Sequence, residues 1–162
     1  MASIFMSFTS ARLGPVNGEA TVPGNIGRSP GGGDWIELEG CSFSSVPHSH
    51  RGTSVDAAVN PIEITKKVDA ASISLLHDLF TNAANGNAAI VFLRTTPDGP
   101  AEYLRLELED IRLLGFEIQG TDDRPFEKYM LSASTFTIIT WNYTGTNPGT
   151  PASHTIINEA AL

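Results

Sequence analysis

The chain has 162 residues, 41% of them hydrophobic, with 10 basic against 18 acidic side chains and a formal charge of −8. That length suits one domain with a sizeable core. The charge repels phosphate backbones and anionic lipid, so nucleic acid and membrane surfaces are poor partners, and no apolar stretch is long enough to insert across a bilayer. A lone Cys41 makes no intrachain disulfide, so folding does not depend on an oxidising compartment.

The opening MASIFMSFTS lacks a basic region, and Ser and Thr break its apolar run, so it does not read as a secretory leader. Synthesis and assembly are expected in the cytoplasm, with any export left to other machinery. Residues 3–10 alternate loosely and read as a first strand. Residues 11–33 are dense in Gly, Pro and Asn and read as a long loop or flexible connection. Gly31–Gly33 precede a strand pattern rather than a helix, so they do not read as a phosphate cradle. Residues 34–43 alternate, with Ile36 and Leu38 on one face, Trp35, Glu37 and Glu39 on the other, and Gly40 as a bulge. Residues 44–60 read as a second long polar loop, and its His48-Ser49-His50 falls short of a zinc ligand set.

Residues 61–68 form another strand pattern. The period then changes: Ile73, Leu75, Leu76, Leu79, Phe80 and Ala83 recur at helical spacing and predict one helix over 72–84. Ser72 or Asp69 is its expected cap, and Gly86 with its Asn neighbours its stop. His77 falls off the apolar stripe. Residues 88–95 are nearly all apolar, the mark of a central strand, and 97–100 make a turn. Residues 102–110 alternate strictly, with Leu104, Leu106 and Leu108 inward and Tyr103, Arg105, Glu107 and Glu109 outward. Residues 111–119 continue, with a kink expected at Gly115. A charged turn, Asp122-Asp123-Arg124-Pro125, leads into aromatic and β-branched residues that make two short strands or one bent one, closing at Trp141-x-Tyr143. The expected domain is 1–144, with 145–162 as a tail, flexible or packed on a neighbouring subunit. The fold predicted is mainly β: a two-sheet antiparallel barrel or sandwich with one flanking helix.

Nothing in the chain assembles catalytic chemistry. No serine sits in a G-x-S-x-G elbow, and Cys41 on a strand reads as a small core or interface residue. The carboxylate pairs Glu37/Glu39 and Glu107/Glu109 lie on polar strand faces, the ordinary solvated arrangement; as an acid–base pair they would have to face each other across a cleft. No enzyme, cofactor or metal is expected.

Residues 61–143 nevertheless carry a specific pattern. Lys66-Lys67-Val68-Asp69 leads through Ala71-Ser72 to the helix with Leu75-Leu76. Glu102-Tyr103-Leu104 opens a later strand, and Asp122-Asp123-Arg124-Pro125-x-Glu127 and Trp141-x-Tyr143-Thr144 close the region. In this order the motifs resemble the Hcp family, the hemolysin-coregulated proteins that form the inner tube of type VI secretion systems. The resemblance implies a barrel that assembles into hexameric rings. The rings stack into a tube, are sheathed by contractile proteins, are expelled with a spike-tip protein, and shelter small effectors in the lumen. Set beside it, the residues suggest 44–60 as the reaching element, with Val46, Pro47, His48, Val55 and Val59 at the subunit interface. Tyr103, Arg105, Glu107 and Glu109 offer further ring contacts, and Ser132, Ser134, Thr137 and Thr140 offer a smooth lumen wall. Plain solvent exposure explains the same patterns equally well. A stand-alone β-barrel that binds a ligand with its long loops, and a phage-type tail tube protein, are the alternative readings.

Overall fold

A computed structural model describes residues 3–22, 26, 29–50, 54–120, 123–144 and 147–158, with the backbone alone for 45–50, 54–58, 143–144 and 147–148. In chain order the strands are β1 (Ser3–Ser10), β2 (Gly14–Val16), β3 (Ile36–Leu38), β4 (Gly40–Ser42), β5 (Ser45–His50), β6 (Ser54–Val59) and β7 (Ile62–Lys67). Helix α1 (Ser72–Phe80) follows, then β8 (Gly86–Thr96), β9 (Gly99–Gln119) and β10 (Phe126–Ser132). The last strands are β11 (Thr135–Thr140), β12 (Tyr143–Thr144), β13 (Asn147–Pro148) and β14 (Ala152–Ile157).

The expected two-sheet antiparallel barrel is what forms. One sheet sets β2 and β3 on β1, then β8, the first half of β9, β11 and β14. The other runs from the second half of β9 through β10 and β7 to β4. The 21-residue β9 therefore belongs to both. It turns the corner at Asp110, whose φ is 54°, a left-handed value that Asp tolerates better than most residues. A second irregularity lies where sequence places the kink. Met130 pairs with Gly115 and Leu131 with Leu113, leaving Leu114 as the extra residue of a bulge.

Inward side chains of both sheets, among them Met6, Ile36, Ile62, Ile64, Ile90 and Leu108, fill one core. The helix adds Leu75, Leu76 and Leu79. It is shorter than predicted. Asn82 takes φ 50°, its N–H donates to Leu79 O, and Ala83 N–H donates to Asp78 O, a Schellman ending that stops the helix at Phe80. Neither expected cap touches the helix N-terminus in the expected way: Asp69 Oδ1 accepts from Ala71 N–H, one residue earlier. Two members of the helical stripe, Ile73 and Phe80, point out and are 75% and 79% exposed.

Four expectations are corrected. Residues 34–43 are not one bulged strand: β3 pairs with β1 and β4 with β7, so the chain changes sheets between Leu38 and Gly40. Residues 11–33 are not simply a loop. After β2, Gly18 and Ala20 N–H groups donate to Asp34 and Trp35 carbonyls, and the segment straps the outer face of the first sheet. There Ala20, Val22 and Ile26 cover a second apolar cluster of Phe5, Trp35, Val91 and Leu93, so Trp35 is buried rather than solvated. Gly18 permits this, because a Cβ there would collide with the Trp35 carbonyl. Residues 44–60 are not a loop but the β5–β6 hairpin, closed at its base by Asn60 N–H to Ser44 O and by the two side chains. Its polar sequence does not announce the strands, which pair with each other and with neither barrel sheet. Finally, the expected tail includes β14, which adds six residue pairs to β11 and extends the first sheet.

Candidate assembly surfaces

The motif that carries the resemblance is held by a buried ionic cluster. Lys66 follows Ile62 and Ile64 on the inward register of β7 and is fully buried. Its Nζ lies 2.7 Å from Asp69 Oδ1, 2.8 Å from Glu127 Oε2, 2.9 Å from Lys67 O and 3.0 Å from Ser72 Oγ. Ser72 Oγ in turn donates to Glu127 Oε2 at 2.8 Å. The cluster fastens the start of α1 to β7 and β10. Tyr129 lies beside it, fully buried; burial first, then the Glu127 charge, raises its phenol well above the usual range, and its hydroxyl reaches no hydrogen-bond partner. The expected turn cluster is arranged differently from the sequence picture. Glu127 is buried inside, whereas Arg124 reaches out to Glu19 Oε2 on the strap at 3.3 Å. Pro125 O accepts from Val68 N–H, Asp123 is exposed, and Asp122 lies outside the described residues.

Of the expected interface residues, Val46, Pro47, His48 and Val55 fall on the β5–β6 hairpin, which pairs with neither barrel sheet. Val59 is corrected: it is 9% exposed and belongs to the core, where it roots the hairpin instead of reaching outward. Tyr103 is half-buried and edges onto Phe92. Arg105, Glu107 and Glu109 do share the outer face of the first sheet. Arg105 is committed within the chain: its hydrogen bond to Glu102 chiefly holds its guanidinium above the ordinary range, assisted by the charges of Glu102 and Glu107 against the effect of burial. Glu107 and Glu109 stand two residues apart on one strand, on one wall, so they do not form an acid–base pair across a cleft.

The expected lumen wall does not form one surface. Ser134 is buried in the corner between β10 and β11, donating to Asp110 Oδ2 at 2.9 Å. Thr137 lies on the outer face, opposite Glu107 and hydrogen-bonded to Thr155, but Thr140 has the opposite parity on β11. Ser132 belongs to the other sheet, paired with Arg112. Cys41 packs against the core, and burial pushes its thiol up to about 11. His77 is half-exposed beside Asp78. Among the described residues, no group of His, Cys, Asp or Glu could hold a metal ion. None of their helices is long and apolar enough to cross a membrane.

The architecture is a two-sheet barrel with a flanking helix and a hairpin that pairs with neither sheet. Residues 5–143 match the family described as "Type VI secretion system effector, Hcp". The chain belongs to that family, the tube proteins of type VI secretion. Similar solved structures include Hcp1 from Salmonella typhimurium, 17% identical, with a TM-score of 0.72 over 98% of this chain and 97% of that one. Hcp3 from Pseudomonas aeruginosa is 22% identical, with a TM-score of 0.68 over 96% and 99%. A type VI secretion system effector from Yersinia pestis is 17% identical, with a TM-score of 0.66 over 94% and 98%. No curated protein matches the sequence.

The contact that sequence reasoning missed is the one between Lys66 and Glu127. The register Ile62, Ile64, Lys66 points inward, but a lysine reads as solvated by default, and its partner lies on a strand 61 positions away.

Proposed function

We propose that this chain is the structural, non-catalytic subunit of a hexameric ring that stacks into the inner tube of a type VI secretion system. It assembles in the cytoplasm, carries small effectors in the ring's lumen, and is itself exported. Contractile sheath and spike-tip proteins are its further partners. The observation that carries the reading, beyond family membership, is the β5–β6 hairpin. A two-stranded hairpin is marginal in water unless something packs against it, and this one forms a sheet of its own that pairs with neither barrel sheet. A neighbouring ring supplies such packing, and contacts repeated by rotation and along an axis give rings and tubes. Val46, Pro47, His48 and Val55 are the proposed contacts, with Glu107 and Glu109 at the ring interface and Thr137 toward the lumen.

Native mass by size exclusion with light scattering, followed by negative-stain imaging, tests it. A species near six times 17.3 kDa, about 104 kDa, with open rings is expected. A monomer at every concentration would overturn the ring.

A further inference from the structure

Along the chain, His48-Ser49-His50 falls short of a metal set, because two histidines alone leave the coordination incomplete. The pairing of β5 with β6 changes the count. Alternate residues of a strand share a face, so His48 and His50 stand on one side of the hairpin. Asp56 pairs directly with His48, and Ser54 with His50, so the returning strand adds a carboxylate residue to that same side. Alternate residues of one strand lie about 6.5–7 Å apart, and directly paired residues have Cβ atoms about 4.5–5.5 Å apart. Two imidazole residues and one carboxylate residue therefore occupy one small patch. Val46 and Ala58 continue this side toward the base of the hairpin. The opposite side carries Pro47, Ala57 and Val55, in line with Val59, which roots the hairpin in the core. Elsewhere among the described residues no group of His, Cys, Asp or Glu could hold a metal ion.

We infer that the β5–β6 hairpin binds one Zn²⁺ ion through His48, His50 and Asp56. Two imidazoles and a carboxylate suit a borderline divalent ion of this class, whereas Mg²⁺ and Ca²⁺ ask for shells of oxygen. Three protein ligands with water in the fourth tetrahedral position is an ordinary zinc arrangement. The inference deepens the reading of the hairpin as the contact between rings, and rests on that reading only for its consequence. A bound ion ties β5 to β6 where no other sheet supports them, so the hairpin meets its neighbour already ordered. His48 then serves that contact through the metal it holds. The binding itself needs no ring.

The test is calorimetric titration of the untagged, chelator-treated full chain with Zn²⁺ near neutral pH, at a concentration where one oligomeric species is present. One ion per chain is expected, and Mg²⁺ is expected not to bind. His48→Ala, His50→Ala and Asp56→Asn should each weaken binding by at least about tenfold, since even a supporting partner of a metal ligand is typically worth that much. The other two histidines of the chain, His77 and His154, lie off the hairpin, so His77→Gln and His154→Gln should bind as the wild type does. Circular dichroism confirms that each variant is folded. Absence of saturable binding, half an ion per chain, equal losses for the hairpin and the control histidines, or wild-type affinity in Asp56→Asn overturns the inference. A monomer that binds one Zn²⁺ per chain with this mutational pattern would uphold the site and sink the ring; rings that bind no Zn²⁺ would do the reverse.

Discussion

Replacing Lys66 by Met keeps most of the side chain's volume and removes its charge. Four oxygens, from Asp69, Glu127, Lys67 and Ser72, surround a Nζ with three protons, all within 3.0 Å. Lys66 is 0% and Glu127 2% exposed, so water cannot replace the lost ammonium. Stranding a buried carboxylate in this way costs about 3–5 kcal/mol. Against a total stability of about 5–15 kcal/mol, that is a large share. For a chain of this size it corresponds to a fall in Tm of roughly 6–20 °C. Urea unfolding at one fixed protein concentration, where a single oligomeric species is present, reads it out. Adding Glu127→Met to Lys66→Met should recover at least half of the loss, because an apolar replacement of the whole pair is tolerated better than half of it. A single variant costing under about 1 kcal/mol with an unchanged m-value would refute the argument that these charges depend on one another.

Asn82→Ala should destabilise by about 1 kcal/mol, since alanine resists the left-handed conformation that ends the helix, while Asn82→Gly should be neutral or better; chemical denaturation separates them. Cys41, with its thiol raised from 9.0 to about 11, should react slowly with iodoacetamide at pH 8. Because folding favours the neutral thiol, its contribution is intact below pH 9 and declines as pH climbs toward 11; alkylation rates across that range check the sign. Gly18→Ala should lift the strap from Trp35, read as greater acrylamide quenching of tryptophan fluorescence. Replacing residues 46–58 by a short Gly-Ser link, which keeps the core residue Val59, should leave the barrel folded but abolish stacking of rings in negative stain.

The strands were legible where one face meets the core. Ile62/Ile64, Leu104/Leu106/Leu108 and the unbroken apolar run of β8 announce their sheets by period alone. The β5–β6 hairpin was not, because its polar sequence SVPHSHRGTSVDAAV carries no regular apolar alternation to read. The strap was half legible: its glycines mark close backbone approach as readily as looseness, and only the fold reveals that Trp35 and Phe5 need covering. The helix end depended on Asn82 choosing a left-handed conformation one residue before the last member of the apolar pattern, Ala83.

The sharing of β9 between both sheets also bears on the order in which the molecule can be made. Strand β1 is made well before its partner β8, whose residues start at 86, and β8 in turn needs β9. The second sheet needs the far half of that same strand. Neither sheet can therefore be completed until β10 and β11 have followed β9, and the apolar β1 must wait for β8 while residues 11–85 are made. Pairings so distant in sequence are slow to form. The nascent chain thus passes through a long stage with open strand edges, when premature association with other copies has to be prevented by something other than its own fold.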